Sequence, residues 1–128
     1  MKRFLATLLL IACVPAGAQT AWLLGELHDQ PDHQRQAAQI VDELAAQGRL
    51  QALVLEMAER GRHTRGLPRD AGEAQVREAL AWHEPAWPWA AYGPVVMAAV
   101  RAGVPVQGGN LPRAELRTAM GLARWDDT

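Results

Sequence analysis

A glutamate and a histidine stand two residues apart directly after a short apolar run near the amino end of the chain. The run is residues 21–24, and Gly25-Glu26-Leu27-His28 follows it. Because side chains alternate along a strand, Glu26 and His28 point to the same side if the run is a buried strand. A carboxylate beside an imidazole can bind a metal ion or move a proton. The spacing therefore marks Glu26 and His28 as candidate site residues.

A second glutamate follows the next apolar run. Residues 52–55 are Ala-Leu-Val-Leu, Glu56 comes next, and a helical pattern separates the two runs. The carboxyl ends of parallel strands lie at one edge of a sheet, where open α/β sheets bind ligands. At a strand spacing of about 4.8 Å, Glu26 and Glu56 repel unless a cation, a hydrogen-bond donor or a shared proton lies between them. We therefore expect the two carboxylates to flank one crevice.

The elements that must position these residues alternate between strand and helix. Pro31 and Asp32 indicate a helix start and Gly48 its end, so His33 lies in the first turn, either facing the crevice or exposed to solvent. Residues 60–72 are predicted to be a loop. Further helices are predicted over residues 73–82, 90–102 and 115–124, and a third strand over residues 104–107, with an open edge. This pattern predicts an α/β fold with a mostly parallel sheet and flanking helices, about half of a typical domain.

Two clusters have both a structural and a functional interpretation. The arginines of the loop either form a solvated surface or bind the carboxylates of an anionic ligand. The aromatic cluster either packs in the core or forms a flat wall for a planar ligand. The arginines are Arg60, Arg62, Arg65 and Arg69, and the cluster is Trp82, His83, Trp87, Trp89 and Tyr92.

The first residues resemble a secretory signal. Lys2 and Arg3 precede an apolar stretch, and the small residues 16–18 follow Pro15, so we expect residues 1–18 to be removed after Ala18 and the α/β domain to occupy residues 21–128. Cys13, in Leu-Ile-Ala-Cys, also resembles a lipoprotein box, which would anchor the chain by lipid. Export to the periplasm or to the cell envelope follows from either route, and membrane attachment is expected only through the lipid or an uncleaved signal.

Composition excludes several classes of protein. The chain is 49% hydrophobic and 21% charged, which is typical of a folded domain rather than a disordered one. After residue 18 there are eleven arginines, no lysine and fourteen acidic residues, a net charge of −3. Nucleic acid is therefore not an expected partner. With one cysteine, the chain cannot form an internal disulfide.

The ordered motifs resemble the ChaN-like family of haem-binding, iron-regulated bacterial lipoproteins, within the broader erythromycin-esterase-like and Tiki-like superfamily. The resemblance rests on the GExH element with Pro31-Asp32-His33, on Leu55-Glu56-Met57, on Trp89 with Tyr92 and Pro94, and on Asn110-Leu111-Pro112-Arg113. It implies an α/β fold, haem as ligand, and a homodimer that encloses the haem. The family's site carries over to Glu26, His28, His33, Glu56, Asn110 and Arg113.

The resemblance also implies a longer protein, because family members are about twice this length. We therefore expect an N-terminal half of the family domain, from a truncated or frameshifted reading frame. A different class stays open from the residues alone, a metal-dependent or general-base hydrolase. In that alternative His28 or the Glu26/Glu56 pair activates water, Arg113 lies near the developing negative charge, and a divalent metal is held by His28 and His33.

The two processing routes predict different results for Cys13→Ser. If the lipoprotein box is used, the substitution removes the lipid attachment point and moves the protein from the membrane fraction to the soluble fraction. If the signal is cleaved after Ala18, the distribution does not change. Fractionation of cells that express both forms, with mass measurement of the mature amino terminus, distinguishes the two routes.

Overall fold

The computed structural model describes residues 20–121, and the predicted signal, Cys13 and the end of the last predicted helix lie outside this part. Four helices and two strands follow one another, and two of the helices lie between the strands. They are α1 (Pro31–Ala46), β1 (Leu53–Glu59), α2 (Glu73–Ala79), α3 (Trp89–Ala102), β2 (Val106–Asn110) and α4 (Arg113–Met120). The strands pair in parallel, which confirms the α/β class. No helix within residues 20–121 is long and apolar enough to cross a membrane.

Helix α3 forms the centre of the core. It is apolar nearly all round, and Val96 and Ala99 are completely buried. Full burial of one valine side chain stabilises a fold by about 1.5–3 kcal/mol relative to exposure. Helix α1 packs against α3, and its Val41 belongs to the same buried core cluster. Gly103 ends α3 in the left-handed conformation with φ 77°, a conformation that glycine adopts without steric cost.

The sheet contains two strands in the described residues, whereas three were predicted. Residues 21–24 form no strand, and the side chain of Leu23 is 94% exposed. An apolar run becomes a strand only when another strand accepts its backbone hydrogen bonds, and β1 pairs with β2 alone. The expectation that residues 21–24 end a buried strand is therefore wrong.

The open edge of the sheet also differs from the prediction. Residues 62–64 run antiparallel to β2 and cover its outer edge, with Gly108 donating its N–H to the carbonyl of Arg62 and Thr64 donating its N–H to the carbonyl of Val106. The edge without a partner strand in the described residues is that of β1.

One sheet face is also uncovered, since Val54 and Glu56 are exposed whereas Leu53 and Leu55 pack on the core. A sheet with an uncovered face is typical of a partial α/β domain.

Strand β1 is longer than predicted and carries a bulge. It continues past Glu56 to Glu59, and its residues Met57 and Ala58 are buried. Glu56 therefore lies inside the strand and not at its end. The register is regular to Leu55 and then shifts before Glu59. A Cβ at Gly108 would lie 2.0 Å from the Glu59 carbonyl oxygen, so glycine there permits the bulge.

The remaining helices match their predictions with changed ends. Helix α2 ends at Ala79 rather than at Trp82, and α4 begins at Arg113. Trp82 instead follows the helix and donates its indole N–H to the carbonyl of Trp87 at 2.8 Å. The two prolines after α2, Pro85 and Pro88, lie in the connection to α3.

Candidate functional site

The glutamate and histidine of the first motif lie in an irregular segment that leads into α1. A turn closes it, with the Gln30 N–H donated to the Leu27 carbonyl at 3.0 Å. His33, in the first turn of α1, accepts the Leu27 N–H on Nδ1 at 3.0 Å. The segment is thus positioned by the start of a helix rather than by a sheet.

The carboxylate of Glu26 lies at the centre of the site. Its Oε1 atom is 2.9 Å from His28 Nδ1 and 3.3 Å from the amide nitrogen of Gln34 on α1, which is buried. The hydroxyl of Tyr92 on α3 reaches the same place and lies 3.3 Å from His28 Nδ1. Polar groups of the irregular segment, of α1 and of α3 therefore converge around this carboxylate.

This arrangement determines which nitrogen of His28 carries the proton. A carboxylate oxygen 2.9 Å from Nδ1 requires a hydrogen between the two atoms, so Nδ1 is the donor. In the neutral ring, Nε2 then has a free lone pair. Nε2 lies 3.9 Å from Oε2 of Glu56, and the side chain of His28 is 44% exposed. The imidazole thus lies between the two carboxylates, although Glu26 is not on a strand beside Glu56 as expected.

His33 has the opposite arrangement. Because its Nδ1 accepts a backbone N–H, a neutral His33 carries its proton on Nε2 and presents a donor there. The two histidines therefore offer different chemistry, since His28 presents a lone pair and His33 presents an N–H.

Tyr92 is buried beneath this pair. Its hydroxyl lies 3.3 Å from His28 Nδ1, and only 2% of the residue is exposed. Burial, followed by the neighbouring carboxylate of Glu26, raises the pKa of Tyr92 to about 12. The phenol is therefore held in its neutral form.

Aromatic rings line the site on the side of α3. Trp87 meets His28 edge-on with ring centroids 4.9 Å apart, and Tyr92 lies 5.9 Å from Trp87. Trp89 is buried and donates its indole N–H to Glu73 at 2.8 Å. Trp89 and Tyr92 therefore belong to the core, as the structural interpretation predicted, and a flat wall for a planar ligand stays a prediction.

The structure brings together only part of the predicted set. Glu26, His28 and Glu56 form one group, and His33 supports its backbone. Asn110 and Arg113 contact a different group, described next. The predicted ligand roles of all six residues stay predictions.

The second group lies where β1 and β2 end. The Arg113 N–H is donated to the Glu59 carboxylate at 3.2 Å, and Asn110 accepts the Arg60 N–H on its carbonyl at 2.7 Å. Arg60 also forms an ion pair with Glu115 at 2.7 Å. These contacts connect Asn110 and Arg113 with the strand ends rather than with His28.

The loop arginines do not surround His28 in the contacts that the structure gives them. Arg65 lines a groove of about 220 Å³ together with Gly103 and Pro105, before the start of β2. The guanidinium of Arg69 packs against Gly103 at the end of α3. No cluster of three or more metal-ligating side chains suited to a metal ion occurs within residues 20–121.

Sequence reasoning missed two members of the site. Gln34 was not singled out, and Tyr92 was named in the aromatic cluster and in the family motif but not as a partner of Glu26 and His28. A signal for Gln34 was present, because Gln34, Ala37 and Val41 recur at i, i+3 and i+7 on the inward face of α1. A polar residue on such an apolar face requires a buried partner.

The fold and the site define an α/β protein with a carboxylate-held histidine beside a parallel sheet. The family model described as "Haem-binding uptake, Tiki superfamily, ChaN" matches residues 16–124, most of the 128 residues. The chain belongs to this family, which confirms the resemblance. No curated protein matches the chain. No solved structure matches it either.

The raised pKa of Tyr92 can be measured directly because the chain has one tyrosine. We expect the tyrosinate absorbance to reach its midpoint at about 12 rather than at the ordinary value of about 10. Since the unfolded chain loses this proton first, the free energy of unfolding falls as the pH rises from about 10 to about 12. In Tyr92→Phe this part of the fall in unfolding free energy is absent. A midpoint at the ordinary value contradicts the burial of the Tyr92 hydroxyl beside the Glu26 carboxylate.

Proposed function

We propose that this chain is an exported haem-binding protein with a role in haem or iron acquisition, and that its haem lies against His28. Membership of the haem-binding family supports the ligand, and the signal-like residues 1–18 support export. The observation that carries the proposal is the half-exposed imidazole of His28, whose Nδ1 is held by Glu26. Histidines that bind metals commonly donate their other ring N–H to a carboxylate in this way.

The donor set of the site fits haem. Haem presents an iron centre, an apolar macrocycle and two propionates. The lone pair on His28 Nε2 suits the iron, and the N–H on His33 Nε2 suits a propionate. Exposed apolar side chains near the motif, Leu24 and Leu27, suit the macrocycle, together with Trp87. When bound, haem supplies the iron, and the residues of this chain bind and orient it.

Glu56 has a defined part in this proposal. Its carboxylate is exposed and 3.9 Å from His28 Nε2, the atom proposed to face the iron. A ligand at Nε2 therefore either contacts the Glu56 side chain or displaces it. A homodimer that encloses the ligand stays a prediction.

The test is a haemin titration of the mature chain with matched histidine variants. We expect a Soret shift at about micromolar haem, and an affinity at least about tenfold weaker in His28→Ala, since each factor of ten is ~1.4 kcal/mol. His63→Ala is the control, because His63 is exposed and lies on the loop that covers β2. Its affinity should equal that of the parent chain. An absent Soret shift, or equal affinities for all three proteins, contradicts the proposal.

A general-base hydrolase is the second candidate, and the hydrogen bond between Glu26 and His28 is the observation that favours it. A carboxylate that fixes the tautomer and orientation of an imidazole is the usual arrangement around a catalytic base. In this alternative, His28 Nε2 takes a proton from water. We then expect turnover of an ester or peptide panel that His28→Ala abolishes and His63→Ala retains, assayed with and without added divalent metal. No turnover in the parent chain removes this candidate.

A further inference from the structure

A continuous row of aromatic rings leads from His28 into the protein. Trp87 lies 4.9 Å from the imidazole, Tyr92 lies 5.9 Å from Trp87, Trp82 lies 6.1 Å from Tyr92, and Trp89 lies 5.0 Å from Trp82, between ring centroids. Electron tunnelling falls exponentially with distance, so neighbours this close exchange an electron rapidly. An oxidised tryptophan in this row can therefore be reduced by the ring beside it.

Tyr92 is the member of this row best placed to lose a proton together with an electron. Oxidised phenols are very strong acids, so tyrosine is readily oxidised only when a base accepts its proton in the same step. The Tyr92 hydroxyl lies 3.3 Å from Nδ1 of His28, and that nitrogen is bonded to the Glu26 carboxylate at 2.9 Å. Trp82, in contrast, donates to a backbone carbonyl of low basicity, at 2.8 Å.

Trp89 is the competing member, because its indole N–H is donated to the Glu73 carboxylate. The guanidinium of Arg77 lies 5.7 Å from the centre of its ring, and Glu84 pairs with that guanidinium. A cation over the ring favours the electron-rich, unoxidised indole. The charges around the row therefore direct an oxidising equivalent toward Tyr92.

We propose that Tyr92 is a sink for one-electron oxidation of Trp82 and Trp87, with the hydrogen-bonded pair of Glu26 and His28 as the proton acceptor. The substrate is a one-electron oxidant strong enough to oxidise an indole. The oxidant takes one electron from a tryptophan and is itself reduced. Tyr92 then gives one electron to the tryptophan radical cation and its hydroxyl proton to the pair of Glu26 and His28, which leaves a neutral tyrosyl radical and one added proton on the pair. The row is present without haem, so this activity is independent of the proposed haem binding.

The test uses photochemical oxidation of the haem-free chain. A ruthenium(III) tris-bipyridine oxidant is generated by a laser flash with persulfate, and transient absorption distinguishes tryptophanyl from tyrosyl radicals. The background variant Trp22→Phe with Trp125→Phe leaves only the three tryptophans of the row. We expect a tryptophanyl signal that converts to a tyrosyl signal at neutral pH. In Tyr92→Phe the tryptophanyl signal should persist.

Glu26→Gln tests the proton transfer separately from the electron transfer. Because glutamine is a very weak base, we expect tyrosyl formation to slow at least about tenfold, while the initial tryptophanyl signal is unchanged. A comparison of the parent chain in H₂O and D₂O provides a second measurement if Glu26→Gln fails to fold. Tyrosyl formation that is equally fast in H₂O and D₂O, or equally fast in folded Glu26→Gln, overturns the proposal. An absence of any tyrosyl signal in the parent chain also overturns it.

Discussion

The carboxylate of Glu26 joins the irregular segment before α1 to the core that α1 and α3 form. It accepts hydrogen bonds from His28 in that segment and from Gln34 on α1, and Tyr92 on α3 lies 3.3 Å from the same imidazole. Gln34 is buried, so loss of this acceptor would leave its amide with only the longer bond to the Leu27 carbonyl, and an unsatisfied buried polar group costs about 1–3 kcal/mol. The tautomer of His28 depends on this carboxylate, and the position of the segment depends on it together with the bond from Leu27 to His33.

The helices could be predicted from the sequence because their signals are local. Pro31 begins α1 and Gly103 ends α3 through backbone preferences that do not depend on distant residues. The strands could be predicted only roughly, since pairing is a tertiary property. Residues 21–24 are apolar, as a buried strand would be, but no strand within residues 20–121 pairs with them. Gly108 is of a residue type common in loops, yet it lies within β2.

The candidate site could be predicted where spacing alone brought residues together. Glu26 and His28 are two residues apart, and Glu56 lies near His28 despite its different position within β1. The parts that were missed depend on how α1 and α3 pack, which brings Gln34 and Tyr92 to the carboxylate. The strand-end residues Asn110 and Arg113 could not be placed, because the bulge and the course of the loop after β1 determine their contacts.

The irregular segment before α1 has a consequence for how tightly any ligand binds. Its side chains provide the candidate ligand groups, yet its backbone is secured by a turn and by the bond from Leu27 to His33 rather than by a sheet. Segments with few backbone hydrogen bonds open locally at low free-energy cost. The observed association constant is then the intrinsic association constant multiplied by the fraction of molecules in which the segment is held against α1 and α3. Substitutions far from His28 that stabilise docking would thus strengthen binding without adding a contact to the ligand.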